Sequence, residues 1–265
     1  MKSLKICAAI FSLSLTATTF AQTTKPTPTP TPKPTPNQTA TANPAAALPK
    51  ADVVIDKYIK ALGGETAYRK ITSRVVKGSV EVPAAGITGI FDGYQKAPNK
   101  SFLTVTIPNF GVIADGFDGA NAWTSQPTTG LREKSGEELE NIKRDSSFYN
   151  EIDFKADFAK RETVKITKVN DSDAYAVLLT PTTGAPQTQY FDTKTGLLVR
   201  KDEISVSPEG KMPVTTYYSD YRIVDGIQFP FLLRVEQPQI AVTLKTSEVK
   251  HNVEIDDAKF LKPQE

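Results

Sequence analysis

The 265-residue sequence has few of the residues that most metal and catalytic sites use. It contains one cysteine, Cys7, and one histidine, His251. A metal site built from several histidines or cysteines is therefore excluded, and a histidine-dependent catalytic triad would rest on His251 alone. Glycine-rich phosphate loops of the familiar spacings are also absent. Because Lys250 and Asn252 flank His251, we expect its side chain to be exposed.

The acidic residues do not supply a convincing catalytic pair. Glu137–Glu138 begins a predicted helix, where the helix dipole favours negative charge, and Asp256–Asp257 belongs to a polar tail. Four further aspartates adjoin glycine or lie in turn sequences, where carboxylates bond to the local backbone: Asp115, Asp118, Asp192 and Asp225. We therefore expect no enzyme, no metal and no cofactor, and a hydrolase that uses acids alone is the weakest of the functions considered.

Long hydrophobic runs and an excess of positive charge are also lacking. The apolar clusters beyond the amino terminus are short pieces such as Ile227–Leu233, well below the roughly 20 residues that span a bilayer. Residues 1–50 hold five lysines and no acidic residue, which leaves 27 basic and 30 acidic residues in the rest of the chain. A slightly acidic domain argues against nucleic acid as a partner.

The amino terminus has the three regions of a cleavable signal peptide. Lys2 and Lys5 precede an apolar run, Ile6–Leu15, and a small-residue stretch ends at Ala21. The run is too short for a membrane anchor, which is the alternative interpretation. Cys7 is a poor lipid-attachment site because Lys5 precedes it and almost no apolar residue lies upstream. We expect cleavage after residue 21 and a periplasmic or secreted product.

Residues 22–50 change to threonine, proline, lysine, alanine and asparagine, and they contain eight of the chain's nineteen prolines. Such a segment cannot bury a core, and proline favours extended backbone. The sequence predicts a disordered linker of polyproline type. It serves as a tether or spacer in one interpretation and is an unstructured leader in the other.

The predicted folded domain covers residues 51–265. Helical periodicity indicates a helix over Val53–Leu62, stopped by Gly63–Gly64, and a short helix over Glu65–Lys70. A capping box, Ser135–Glu138, predicts a third helix that reaches Phe148. Apolar and polar residues alternate in eleven segments that we interpret as strands: Arg74–Val82, Ile87–Lys96, Phe102–Ile107, Val112–Phe117, Val164–Val169, Ala174–Leu179, Gln187–Phe191, Leu197–Ile204, Thr215–Val224, Ile227–Val235 and Ile240–Lys250.

Hairpin-length turns between these segments indicate one mainly β domain with an antiparallel sheet. The helices are too few to cover eleven strands twice, so we expect the sheet to curl around a core or a cavity. Bulky residues on the alternating strands pack a core in one interpretation and line an apolar ligand cavity in the other. The candidate cavity residues are Phe91, Leu103, Val105, Trp123, Tyr217, Phe229, Phe231 and Leu233.

Five short segments, in this order along the chain, resemble the periplasmic lipoprotein carrier superfamily, the LolA-like outer-membrane lipoprotein-sorting proteins. They are Ala61–Gly64, Ala97–Lys100, Phe117–Trp123, Tyr190–Leu198 and Asp225–Pro230. The resemblance implies an incomplete, curved antiparallel barrel of about eleven strands with lid helices. It also implies a carrier that shields acyl chains of lipoproteins, or other lipids, from water.

Under this resemblance, Val53–Leu62 and Glu137–Phe148 are the candidate lid elements. Family carriers fasten the lid with an arginine, and Arg69, Arg74 and Arg132 are the candidates for that role. The implied partners are lipid or lipoprotein acyl chains and membrane-bound donor and acceptor proteins. We expect a monomer. The proline-rich linker departs from the best-known carriers, and the alternative function is a non-catalytic envelope module with a packed core and no ligand.

Overall fold

The structure is a computed structural model that describes residues 47–264, so the predicted signal peptide and residues 22–46 of the predicted linker lie outside the described residues. The described range contains four α-helices, in chain order α1 to α4: Ala51–Ala61, Glu65–Tyr68, Gly136–Asp145 and Phe154–Asp157. It contains thirteen strands, in chain order β1 to β13: Ser73–Val82, Ile87–Lys96, Lys100–Ile107, Gly111–Phe117, Ala122–Gln126, Gly130–Lys134, Phe158–Val169, Ser172–Pro181, Gln187–Asp192, Leu198–Ser207, Gly210–Val224, Ile227–Gln237 and Ile240–His251.

All thirteen of these strands belong to one curved antiparallel sheet. Its order is β6, β5, β4, β3, β2, β1, β13, β12, β11, β10, β9, β8, β7, so the first and last strands lie side by side in the middle. Each of the other neighbours is a hairpin or a short connection, whereas β6 and β7 form the two ends and do not pair within the described residues. The predicted incomplete barrel is confirmed.

The predicted number of strands is too small by two. The two strands that were not predicted are β5 and β6, which are five residues long each and lie between the predicted strand Val112–Phe117 and the predicted helix that begins at Ser135. The edge strand β6 is Gly-Leu-Arg-Glu-Lys, and it has no apolar alternation to detect. Short charged edge strands are common because they discourage pairing with other chains.

The two faces of the sheet are covered by different parts of the chain. The inner face carries Val76, Phe91, Leu233 and Leu244, which belong to the main core together with residues of α1. On the outer face, Val75 packs with Ile255 and Phe260 of the carboxyl-terminal segment, and Tyr94 and Phe102 border this cluster. The neighbouring residues Val75 and Val76 of β1 therefore enter different apolar clusters.

Helix α1 lies against the inner face because its apolar residues form one stripe. Val54, Ile55, Tyr58 and Leu62 are all buried, at the spacing of one helix face. The helix ends before Gly63–Gly64, where both residues have positive φ angles, 118° and 88°.

The end of α1 is held against the hairpin between β11 and β12. The backbone N–H of Gln228 donates to the carbonyl of Leu62 at 2.8 Å. A Cβ atom on residue 63 would lie 2.4 Å from the carbonyl oxygen of Gly226, whereas a Cβ on residue 64 would meet no atom within 4 Å. Gly63 therefore allows a backbone contact that fixes the helix to the sheet.

This difference predicts unequal effects of two neighbouring substitutions. Gly63→Ala and Gly64→Ala each lose about 1–3 kcal/mol of unfolding free energy because alanine is strained at positive φ. Gly63→Ala should lose at least ~1 kcal/mol more, since backbone must also move away from the new Cβ. Urea unfolding of both variants measures the difference, and equal losses would contradict the role given to Gly63.

Candidate functional site

Three tethers hold α1 over the inner face. Asp52 accepts a hydrogen bond from Arg161 Nε of β7 at 2.8 Å, and Lys57 Nζ donates to the carbonyl of Thr193 at 2.6 Å. The third tether is the backbone bond from Gln228 to Leu62. The Asp52 and Lys57 contacts are partly or fully exposed to solvent, where ion pairs and hydrogen bonds contribute little net stability. The helix is thus held mainly by its buried apolar stripe.

Residues 136–157 complete the covering of the inner face, and we call α1, α2 and this segment the helical cover. Phe148, Ile152 and Phe154 of the segment belong to the main core. The predicted third helix ends at Asp145 rather than at Phe148. The predicted capping box is wrong, because the Ser135 side chain makes no capping bond.

The described residues enclose a small cavity between the cover and the inner face, with a volume of about 30 Å³. This volume is about a tenth of the roughly 300 Å³ at which small-molecule pockets begin, so the cavity in this conformation does not hold an acyl chain. Its wall mixes aliphatic and aromatic carbon with hydroxyl, amide and charged groups. The lining residues are Tyr58, Leu62, Tyr68, Arg74, Glu151, Leu198, Tyr218, Tyr221, Gln228, Phe229, Pro230 and Leu233.

A hydrogen-bonded polar network lies at this cavity and connects the sheet to the cover. Arg74 of β1, only 3% exposed, donates from Nη2 to the Tyr68 hydroxyl at 3.0 Å and from Nη1 to Gln95 Oε1 at 3.3 Å. Tyr68 lies on α2, and its hydroxyl donates to Glu151 Oε2 at 3.0 Å. The guanidinium also lies over the rings of Phe148 and Phe229, at 5.4 and 5.3 Å. We call Arg74, Tyr68, Gln95, Glu151 and His251 the Arg74 network.

His251 is the fifth member of the network, and the prediction that its side chain is exposed is wrong. The side chain is 1% exposed, because it packs between Arg74 and Asp225. Arg74 Nε donates to His251 Nε2 at 3.2 Å, so Nδ1 carries the proton and donates to Asp225 Oδ2 at 2.9 Å. Burial and the charge of Arg74 lower the pKa of His251, and Asp225 only partly opposes them.

The pKa of the Glu151 carboxyl group is also shifted from its ordinary value. Burial raises the pKa of Glu151, although the charge of Arg74 and the hydrogen bond from Tyr68 oppose the shift. Burial likewise raises the pKa of Tyr68 far above physiological values, so its hydroxyl remains a donor. The network thus joins one buried cation to a carboxyl group through a neutral tyrosine.

The structure brings six of the eight predicted cavity residues to the inner face. Phe229 and Leu233 line the cavity itself. The other four lie in the same main core without touching that space, and all are buried: Phe91, Leu103, Val105 and Phe231. Alternation therefore grouped these six residues on one face of the sheet, and whether they bind a ligand stays a prediction.

Trp123 and Tyr217 are not brought to the inner face. Trp123 packs against Phe102, and its indole N–H donates to the carbonyl of Phe260 at 3.1 Å, which places it on the outer face. Tyr217 lies beside a second outer cluster that contains Tyr190. Both are large aromatic residues on strands, but neither lies at the cavity.

All three candidate arginines contact the helical cover, and they differ in burial. Arg69 pairs with Asp153 at 2.6 Å on the surface, and Arg132 pairs with Glu138 at 2.8 Å while partly exposed. Only Arg74 is buried among them. The tyrosines, Glu151 and Gln228 were missed by the sequence analysis, although Tyr58 was detectable as part of the apolar stripe of α1.

Of the four aspartates expected to bond to the local backbone, two do so and two do not. Asp118 and Asp192 accept backbone N–H bonds inside their turns, as predicted. Asp115, in β4, instead forms an ion pair with Lys134, and Asp225 accepts from His251, so the expected bonding to local backbone is wrong for these two. Among residues 47–264, no cluster of histidine, cysteine, aspartate or glutamate is suited to hold a metal ion.

No helix in residues 47–264 has the length and apolar character needed to cross a membrane. Neither a protein-family model nor a curated protein matches the sequence. Similarity appears at the level of solved structures. A LolA superfamily protein from Nitrosomonas europaea aligns with a TM-score of 0.53 and 15% identity, over 81% of this chain and 99% of the other.

A DUF1329 family protein from Desulfovibrio piger gives a TM-score of 0.54 and 16% identity, over 80% of this chain and 97% of the other. At such identities the comparisons establish the fold and leave the activity open. The resemblance to LolA-like proteins is thereby confirmed at the level of the fold.

The geometry of His251 predicts a pH dependence of stability. Because the folded state binds a proton at His251 more weakly than the unfolded chain does, its contribution is complete above the ordinary pKa of 6.5 and is lost as the pH falls below that value. His251→Gln keeps a donor for Asp225 and an acceptor for Arg74 but does not titrate. Denaturation between pH 7.5 and 5.5 should therefore cost the parent protein more stability than the variant. Parallel curves would contradict a neutral, buried His251.

Proposed function

We propose that this chain is a periplasmic or secreted carrier or binding protein for acyl chains, of lipoproteins or of other lipids. Acyl chains would lie along the inner face, and the helical cover would move aside to admit them. In this proposal the chain performs no chemistry. Membrane-bound donor and acceptor proteins are its exchange partners, and it acts as a monomer delivered by cleavage of the signal peptide within residues 1–21.

The observation that carries the proposal is the way in which the cover is attached. The inner face is broad and apolar, and the chain covers it with separate helices instead of closing the sheet. A lipid needs such a surface in water, because each buried methylene is worth about 0.8 kcal/mol. Replacing the apolar stripe of α1 with an acyl chain would keep the inner face dry.

The small cavity implies that the described conformation is closed. Ligand pockets for small molecules usually exceed about 300 Å³, whereas the cavity beneath the cover has about 30 Å³. Opening must therefore precede binding. The Arg74 network would fasten the closed state, since it joins β1 to α2 and to the segment between α3 and α4.

The same small volume favours a second candidate function. If the cover never opens, the inner face is an ordinary packed core, and the domain is an envelope interaction module without a ligand. The linker of residues 22–50 would then present the domain to a partner. The two functions differ in one property, which is whether α1 must leave the sheet for the protein to work.

A disulfide that locks α1 tests this property. Lys57 Cγ lies 2.9 Å from the position that a Cβ on residue 196 would occupy, so Lys57→Cys and Gly196→Cys can be joined. With Cys7 replaced by serine, the oxidised double variant should take up a fluorescent fatty acid at least about tenfold more weakly than its reduced form. Uptake is measured by fluorescence titration of the same sample before and after reduction.

The single Gly196→Cys variant controls for the strain of a side chain at residue 196, where φ is 80°, and the single Lys57→Cys variant controls for the loss of the lysine. Equal uptake by oxidised and reduced protein would contradict an opening of α1. No uptake in either form, together with no lipid in a native mass spectrum of the parent protein, would leave the packed module as the function.

A further inference from the structure

Arg74 is exceptional among the arginines of residues 47–264. The other seven each form an ion pair with a carboxylate. Arg74 is the most buried of the eight, and no ion pair of the described residues includes it. Its three hydrogen bonds go to a tyrosine hydroxyl, a glutamine amide oxygen and a neutral histidine nitrogen.

A buried cation with neutral partners is costly, because its hydration is lost and no opposite charge replaces it. The nearest carboxyl group of the network, on Glu151, reaches Arg74 only through the Tyr68 hydroxyl. Hydrogen bonds and three aromatic rings offset part of the cost. A direct anion partner for the guanidinium is nevertheless missing in the closed conformation.

The space for such a partner adjoins the guanidinium. Arg74 lines the cavity beneath the cover, together with Tyr58, Tyr68 and Tyr218. On the same wall, Gln228 Oε1 is buried and has no hydrogen-bond partner. The cavity thus has a polar end at Arg74 and Gln228 and an apolar wall formed by Leu198, Phe229 and Leu233. Such a cavity suits an amphiphile whose headgroup enters first.

The polar groups of the cover near Arg74 would leave with it, and so would the ring of Phe148. Tyr68 belongs to α2, and Glu151 belongs to the segment between α3 and α4. When the cover moves, the guanidinium keeps His251 and Gln95 from the sheet and gains a free Nη edge that faces the cleft. An arginine edge of this kind binds a carboxylate through two parallel hydrogen bonds.

On the basis of the proposed function, we propose that the ligand is an amphiphile with a single negative charge, a long-chain carboxylate, whose headgroup pairs with Arg74. Its carboxylate takes the place that the Tyr68 hydroxyl and Glu151 hold in the closed state. Arg74 supplies one positive charge and the neutral His251 supplies none. A carboxylate with one negative charge therefore fits this site better than a doubly charged phosphate monoester.

Headgroup selectivity of the purified parent protein is the first arm of the test. Dodecanoate, dodecanol, dodecyl phosphate and dodecyltrimethylammonium share one chain length, and calorimetric titration at pH 8 below their micellar concentrations compares them. We expect dodecanoate to bind about tenfold or more tightly than dodecanol and dodecyl phosphate, and the cation to bind more weakly than dodecanol.

The second arm removes the charge. Arg74→Gln should reduce the preference for dodecanoate over dodecanol to about twofold or less while dodecanol affinity stays within about threefold. Arg132→Gln, which also removes an arginine that contacts the cover, should keep the full preference. Should Arg74→Gln fail to fold, Arg74→Lys keeps the positive charge and should retain a preference above threefold.

Three outcomes would overturn this inference and leave the proposed function standing. They are equal affinity for dodecanoate and dodecanol, tighter binding of dodecyl phosphate than of dodecanoate, and full selectivity in folded Arg74→Gln. Failure of all four amphiphiles to bind would instead overturn the proposed function, and this inference with it.

Discussion

The structure depends on one constraint: an open antiparallel sheet with an apolar inner face must be shielded from water by something other than itself. Strands β6 and β7 end the sheet and do not pair within the described residues, so closure of a barrel does not provide the shield. Helix α1 and residues 136–157 provide it by burying Val54, Tyr58 and Phe154 against the sheet. In the proposed function, an acyl chain would compete with these helices for the same surface.

The Arg74 network beneath the cover fixes how the cover lies on the sheet. Apolar contacts between the cover and the sheet are non-directional, whereas hydrogen bonds require a defined geometry. Arg74 and Glu151 are connected only when the Tyr68 hydroxyl lies between them. Buried polar groups of this kind cost stability and specify one arrangement. His251 extends the network to Asp225, so a histidine whose pKa is lowered by burial and by the charge of Arg74 belongs to the same network.

Much of the fold could be predicted from the sequence because alternation reports the strand period directly. Alternation predicted eleven of the strands, and it identified Phe229 and Leu233, which line the cavity at the inner face. Alternation cannot say which of two apolar faces meets the helices, and Trp123 therefore proved to pack against the carboxyl-terminal segment. The residues of the site were harder to predict from the sequence. Glu151 and Tyr68 are 83 residues apart in sequence, and His251 is buried by Arg74 and Asp225, which are distant from it along the chain.

The central claim is that α1 moves away from the sheet when an amphiphile enters, and a distance measurement tests it most directly. Spin labels on cysteines at Asp56, on the exposed side of α1, and at Ser247, on β13, report this separation by double electron–electron resonance in a chain that lacks Cys7. We predict one distance in the free protein and a population at longer distance that grows with added dodecanoate. An unchanged distance at saturating bound dodecanoate would contradict it.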